Sequence, residues 1–232
     1  MRPIEGGNVT VETAEGSRQE LVRSFWMSEH EVPWELFDIF VYKLDGDDEE
    51  DAADLVTRPT RPYVMVDRGF GHNGYPAISM SYEGARLFAQ WISSKTGRRY
   101  ALPTRSQWRQ ACLSGGHGAQ NADAISWHKG NSDGTTHPCG SQAPDANGIY
   151  DLWGNVAEWG VDAEGNPVSM GGGFRSTLDQ LGPDAIEVPS PAWNESDPQI
   201  PRSIWWLADN DAIGIRLICT PAPQGIAIEE IP

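Results

Sequence analysis

Residues 150–162 of the chain have the sequence YDLWGNVAEWGVD. Two tryptophans flank a short segment that is more polar than an ordinary core strand and more apolar than an ordinary loop. Asn155 and Glu158 place an amide and a carboxylate three residues apart between these indoles. Such oxygen atoms, together with a backbone carbonyl such as that of Val156, are ligands that calcium prefers. The alternative is that both side chains only hydrogen-bond loop amides.

A second candidate cation site lies in the sequence GNSDGTTHP, where Asn131 and Asp133 offer oxygen atoms within a turn. Short polar side chains before a glycine also form turns without any ion, because they hydrogen-bond to their own backbone. Both interpretations of this turn stay open.

The composition indicates a folded, loop-rich protein. The 232 residues include 10 Trp and are 39% apolar, which is enough for a substantial core, while 25 Gly and 17 Pro follow no period. The formal charge of −16 argues against nucleic acid as a partner, because phosphates require Lys and Arg. It also argues against binding to an anionic membrane surface.

The sequence shows no apolar run of about 18 residues and no export leader, so we expect no membrane insertion. If Met1 is the native start, the expected compartment is the cytoplasm; otherwise the compartment stays open. The acidic run Asp45–Asp54 is interpreted as a solvated loop, because it lacks the glycine and the terminal glutamate spacing of a calcium-binding EF-hand.

Three amphipathic patterns predict helices. One begins near Pro33, the second extends from Ser81 to about Lys95, and the third begins with a capping box at Thr104 and Gln107. Strands are predicted in the alternating segment near the start, at Phe25–Met27 and at a closing strand, Ile213–Thr220. With no internal repeat and no clear linker, the chain is predicted to be a single α+β domain.

Several segments, in this order, resemble the formylglycine-generating enzyme family, also called the sulfatase-modifying factor domain. They are GYPAISMSYEGARLFAQW, GRRYALPTRSQWRQAC, the segment quoted first, SMGGGFRS and GIRLI. The resemblance covers residues 1–220 and leaves 221–232 as a C-terminal extension. It implies a C-type lectin-like fold with two helices, small antiparallel sheets and long ordered loops. It also implies structural calcium, with one ion in the segment quoted first, where the flanking Trp153 and Trp159 would exclude water.

A formylglycine-generating enzyme would oxidise a sulfatase cysteine with two cysteines that bind copper(I), a soft ion that selects sulfur ligands. The matching stretch here, GGGFRSTLDQLGPDAIEVPS, contains no cysteine. Cys112, Cys139 and Cys219 are interpreted as small buried side chains. We therefore expect no copper and assign no catalytic residue.

Another branch of the family uses iron held by three histidines, which come largely from an additional N-terminal helical domain. His117, His128 and His137 lie in loops here, and with Cys139 they could form a zinc or iron site. Their spacing matches no ligand pattern, so solvated histidines are the alternative.

Three functional hypotheses follow. The first is a non-catalytic binding, scaffold or accessory subunit that contacts a protein partner through its loops and the tail 221–232. The second is a metal-dependent oxidoreductase or protein-modifying enzyme with a pocket near Arg175, Trp205 and Arg216. The third is a lectin-like carbohydrate-binding module that uses Trp193–Asp197, which rests on fold analogy.

Overall fold

The computed structural model describes residues 1–13, 16–46, 55–62, 66–116 and 121–220. The tail 221–232, most of the acidic run and His117 lie outside these described residues, and the predictions made for them stay predictions.

The three predicted helices are confirmed. Described in chain order, the helices are α1 (Trp34–Tyr42), α2 (Tyr82–Thr96), α3 (Arg105–Ser114) and the short α4 (Ala122–Ile125), with 3₁₀ turns at Leu178–Gln180 and Pro191–Asn194. The start of α2 is capped by the Ser81 hydroxyl, which accepts a hydrogen bond from the Gly84 amide, and α2 ends at Gly97 in the left-handed conformation. At α3 the predicted capping box of Thr104 and Gln107 is present.

The strands of the described residues form two four-stranded sheets and one hairpin. In chain order they are β1 (Arg2–Ile4), β2 (Gly7–Thr13), β3 (Gly16–Val22), β4 (Phe25–Met27), β5 (Tyr100–Ala101), β6 (Ala157–Val161), β7 (Pro167–Gly171), β8 (Gly182–Glu187), β9 (Ile213–Gly214) and β10 (Ile218–Cys219). The first sheet has the order β1-β4-β10-β5, β2 and β3 form the hairpin, and the last sheet has the order β8-β7-β6-β9. All pairs are antiparallel except β6 with β9. The predicted α+β class with small sheets is confirmed.

The single closing strand predicted at Ile213–Thr220 is wrong, because this segment is divided between two sheets. Between β9 and β10 the chain pairs with the segment that follows β4: the carbonyls of Ile215 and Leu217 accept hydrogen bonds from the amides of Val32 and Ser28. These two bonds hold the middle of the segment away from both sheets. Arg216 lies in that middle and is fully buried.

Two hydrophobic clusters lie on opposite sides of β6. The first packs α1 and α2 against Trp159 and the segment before β10, and the second packs α3 against β1, β4 and β7. Because strand residues alternate between faces, Trp159 points into the first cluster and its neighbour Glu158 points toward Trp108 in the second.

None of the helices in the part of the chain that the structure describes is long and apolar enough to span a membrane.

Candidate functional site

A cleft lies on one face of the last sheet. Antiparallel pairing places Trp159, Ser169 and Glu187 opposite one another, and Ala157 shares their face because it is two residues from Trp159. Trp193 covers the Trp159 end of this face, with ring centroids 5.7 Å apart. The remaining face opens into a cavity of about 470 Å³. Its lining consists of Ala157, Ser169, Gly172, Gly173, Arg175, Ser176, Gln180, Asp184, Ala185, Ile186, Glu187, Asn210 and Ala212.

Glycines set the depth of the cleft. A Cβ atom on Gly172 would lie 2.8 Å from a methyl of Leu181, and Gly172 has a φ of +75°, which side chains rarely adopt. A Cβ atom on Gly173 would lie 3.2 Å from the carbonyl oxygen of Ala212. The glycines of SMGGGFRS therefore allow the chain to turn closely beneath the cavity.

The rim of the cleft carries basic and acidic side chains. Arg175 is paired with Asp211, and its guanidinium lies 4.6 Å from the ring centroid of Phe174. On the opposite side Asp184 is paired with Arg109 of α3. The wall between them presents hydroxyl and amide groups, which can both donate and accept hydrogen bonds.

A buried ion pair lies behind the sheet. The Nε of Arg216 donates to Oε1 of Glu158 at 2.7 Å, and Nε1 of Trp108 donates to Oε2 of the same carboxylate at 2.8 Å. The other guanidinium nitrogens donate to the carbonyls of Ser28, Glu29 and Tyr150. Burial raises the pKa of Glu158, and the charge of Arg216 opposes this increase. The pair thereby ties β6 to residue 216 and, through its guanidinium, to residues 28–29 and 150.

These contacts define the surroundings of the predicted calcium ligands. Both oxygens of Glu158 already accept hydrogen bonds, and Oδ1 of Asn155 accepts one from the His137 amide at 2.9 Å. Val156 is a core residue. As arranged, Glu158 does not suit calcium, because the ion would have to displace the guanidinium of Arg216. Calcium binding by Asn155 and the carbonyl of Val156 stays a prediction, whereas the contacts of Glu158 do not favour its part in the site.

The second predicted cation site is a turn that is organised by its own side chains. Oδ1 of Asn131 accepts a hydrogen bond from the His128 amide at 2.8 Å, and its Nδ2 donates to the carbonyl of Ser126 at 3.0 Å. Asp133 is exposed and has a φ of +55°. The turn chemistry is therefore present, and calcium binding there also stays a prediction.

Two buried carboxylates were not identified from the sequence. Glu31 and Asp151 are almost fully buried, and among the described residues Oε2 of Glu31 and Oδ1 of Asp151 have no hydrogen-bond partner. Oδ2 of Asp151 accepts from the Gly140 amide at 2.7 Å. Burial raises the pKa of Glu31 well above its usual value and that of Asp151 to about 6. No spacing in the sequence signals this pair, because over a hundred residues separate its members.

The sequence model of the sulfatase-modifying factor enzyme 1-like domain matches residues 1–187. The chain belongs to this family. The match does not reach the predicted domain boundary at residue 220, which stays a prediction.

Two curated relatives of this sulfatase-modifying factor domain are kinases. The serine/threonine-protein kinase pkn1 of Chlamydia pneumoniae is 31% identical over 175 residues, which are 68% of this chain and 27% of that kinase. Pkn1 of Chlamydia trachomatis is 29% identical over 173 residues, with the same two shares. The chain thus spans about a quarter of the length of the curated relatives it matches.

Solved structures confirm the formylglycine-generating-enzyme-like fold. Treponema denticola variable protein 1 superposes with a TM-score of 0.67 at 16% identity, covering 95% of each chain. PvdO from Pseudomonas aeruginosa gives 0.64 at 18% identity, covering 94% of this chain and 92% of its own. CarF gives 0.64 at 17% identity, covering 95% and 98%. At these identities the likeness concerns the fold alone.

The cleft of this sulfatase-modifying factor domain does not suit the copper(I) ion that the family resemblance implies. Its lining among the described residues offers oxygen and nitrogen atoms, whereas copper(I) selects sulfur. Cys112 is buried and its sulfur accepts a hydrogen bond from Trp153, while Cys219 is buried in β10. Burial raises the pKa of the Cys139 thiol, and the carboxylates of Glu31 and Asp151 raise it further. None of these three thiols lines the cleft.

Two further predictions concern a zinc or iron site and an enzyme pocket. Within the described ranges, no group of three His, Cys, Asp or Glu side chains has a geometry that could hold a metal ion. His128 pairs with Asp123 at 2.7 Å, and His137 stacks on Trp127 with centroids 3.7 Å apart. Of the pocket predicted near Arg175, Trp205 and Arg216, Arg175 lines the cleft. Trp205 and Arg216 are buried elsewhere.

Proposed function

We propose that this chain is a non-catalytic member of the sulfatase-modifying factor family, a scaffold or accessory subunit that binds a segment of a protein partner in its cleft. The observation that carries the proposal is the lining of the cleft, which combines small residues with hydroxyl and amide groups and contains no sulfur among the described residues. Such a surface suits binding rather than copper-dependent oxidation.

A polypeptide segment fits this lining by its chemistry. A peptide backbone presents donors and acceptors alternately. The hydroxyls of Ser169 and Ser176 can both donate and accept. The amide nitrogens of Gln180 and Asn210 can donate, since their oxygens already accept hydrogen bonds within the chain. Ala157 and Ala212 leave room for close approach of a backbone.

The same lining disfavours the carbohydrate hypothesis. Sugars commonly need an aromatic surface, and the lining of the cleft includes no aromatic side chain among the described residues. Trp193, which the carbohydrate hypothesis uses, is packed against Trp159 instead of lining the cleft. Arg175 is already paired with Asp211, so the cleft also offers little to a phosphate group.

A region similar to this chain occurs within the longer kinase relatives. Their matching region makes up 27% of proteins that are named for serine/threonine kinase activity. A domain of this kind therefore occurs within a longer protein.

We propose that the tail 221–232 provides a second contact with the same partner, as its alternating isoleucines suggest.

The alternative, an oxidoreductase or protein-modifying enzyme, draws support from the raised pKa values of Glu31 and Asp151, because such perturbed groups concentrate at functional sites.

Metal analysis combined with an oxidation assay separates the two functions. We expect no stoichiometric copper, iron or zinc in the purified chain and no formylglycine in a cysteine-containing sulfatase peptide supplied with copper. Either a stoichiometric redox metal or peptide oxidation would overturn the non-catalytic proposal.

A further inference from the structure

The segment 66–75 connects α1 to the rim of the cleft. The ring of Phe70 lies 5.5 Å from that of Phe174, and the guanidinium of Arg175 lies 6.0 Å from the centroid of Phe70. Arg68 anchors the beginning of the segment, because it donates hydrogen bonds to the carbonyls of residues 207 and 208. Phe70 is therefore one of the contacts of Arg175 at the cleft, beside Asp211 and Phe174.

His72 fixes the other end of this segment to α1. Its Nε2 lies 2.7 Å from Oδ2 of Asp38 on α1, and its Nδ1 lies 3.4 Å from Oδ2 of Asp67. The ring stacks on Trp34 in the first turn of α1, with centroids 5.2 Å apart and an interplanar angle of 12°. The His72 side chain is 42% exposed, so it can exchange protons with solvent.

The double contact depends on the protonation of the imidazole. Only the charged ring carries a proton on both nitrogens, and the neutral ring can donate to one carboxylate alone. Burial by itself lowers the pKa of His72, but the hydrogen bonds and charges of Asp38 and Asp67 outweigh burial and raise the pKa above 6.5. The bridge is therefore complete below 6.5 and is lost as the pH rises through the raised pKa.

The other titratable and charged groups around the bridge are Glu35 and Tyr42 of α1, and Arg61, which precedes the segment. Glu35 of α1 accepts a hydrogen bond from the Gly74 amide at 2.9 Å. Tyr42 of α1 interacts electrostatically with Asp38, Asp67 and Arg61. Since Glu35 binds the backbone of the segment, it holds the segment independently of the protonation of His72.

We propose that His72 is a proton-dependent latch for the cleft. When it is protonated, it bridges Asp38 and Asp67 and holds Phe70 against Phe174 and Arg175. When it is neutral, residues 69–73 loosen between the anchors at Arg68 and Gly74, and the rim of the cleft opens. The latch rests on the proposed function in that it regulates access to the cleft where a partner segment would bind.

Hydrogen–deuterium exchange of the full chain tests the latch, at about pH 5.5 and about pH 8, on either side of the ordinary histidine pKa. Rates are corrected for the intrinsic effect of pH. In the wild type we expect residues 69–73 and 172–176 to lose protection several-fold at the higher pH. His72→Gln and Asp38→Asn should show low protection at both pH values. Glu83→Gln, which removes a helix carboxylate paired with Arg86, should keep the wild-type change.

An unchanged wild-type protection, or the same pH response in His72→Gln, would overturn the latch. A response confined to residues 69–73, with 172–176 unaffected, would contradict the link to the cleft. A proton NMR titration of His72 gives a second readout, in which Asp38→Asn should lower the midpoint. No partner takes part in these experiments, so their failure is distinct from a failure of the proposed partner binding.

Discussion

At the scale of single residues, the fold depends on the contact between Glu158 and Arg216. Both side chains are fully buried, and each is satisfied by the other and by distant backbone or indole groups. Removing one partner of such a pair leaves an uncompensated buried charge. Replacing both by apolar residues removes both desolvation penalties, but it also takes these partners from the Trp108 indole and from three backbone carbonyls, so it too would destabilise the fold.

We expect Glu158→Gln to lower the free energy of unfolding by about 3–5 kcal/mol, the cost of breaking a buried ion pair. Urea denaturation measures the change. Glu83→Gln is the matched control, since its ion pair with Arg86 is exposed and exposed pairs contribute about 0–1 kcal/mol. Equal effects of the two substitutions would show that the buried pair does not hold the fold together.

The same variant tests calcium at this segment. A calcium ion bound by Asn155 and Glu158 would raise the Tm of the wild type when it is added, and it would not raise the Tm of Glu158→Gln. Because Arg216 occupies the carboxylate, we expect no calcium response that depends on Glu158. Differential scanning calorimetry with calcium and with a chelator makes the comparison.

Asp151 should make stability depend on pH. Its pKa in the fold is raised from 3.8 to about 6 by burial, so its contribution is fully present below 3.8 and is lost as the pH rises through about 6. We expect the contribution of Asp151 to lower the Tm of the wild type between about pH 4 and about pH 6.5, and Asp151→Asn to reduce that fall. Asp133→Asn, which changes an exposed carboxylate, should leave the pH dependence intact. A pH profile of Asp151→Asn identical to that of the wild type would contradict the shift.

At the scale of elements, the helices could be predicted from the sequence and several strands could not. Apolar spacing and capping residues are local features of the sequence, so α1, α2 and α3 could be predicted from it. The division of residues 213–220 depends on pairing with residues 28–32, which are nearly two hundred positions away. The strand β3 was missed because its residues are mostly exposed and show no alternation.

The capping box at α3 gives a prediction at this scale. Thr104→Ala removes the hydroxyl that accepts from the Gln107 amide, so we expect a loss of about 1 kcal/mol in the free energy of unfolding. Thr177→Ala is the control, because the same arrangement there starts a single 3₁₀ turn that has no buried residue. Chemical denaturation of both variants checks the difference, and a larger loss in the control would contradict the prediction.

At the scale of the whole molecule, the sequence predicted the fold through the family motifs but not the cleft. The cleft combines β6, β7, β8, the glycine turn and residues 210–212, and no local pattern shows that these segments meet. Arg175 was placed at a pocket correctly, whereas Arg216 and Trp205 were not. A buried arginine and an exposed one cannot be distinguished without the tertiary contacts.

Affinity capture from the source organism, with identification of bound proteins by quantitative mass spectrometry, tests partner binding in the cleft most directly. Ala185→Trp fills the cleft, and Ala124→Trp places the same bulk on an exposed residue of α4 outside its lining. We expect one protein to be enriched by the wild type and by Ala124→Trp and to be lost from Ala185→Trp. Undiminished capture by Ala185→Trp, with both variants folded by circular dichroism, would contradict binding in the cleft.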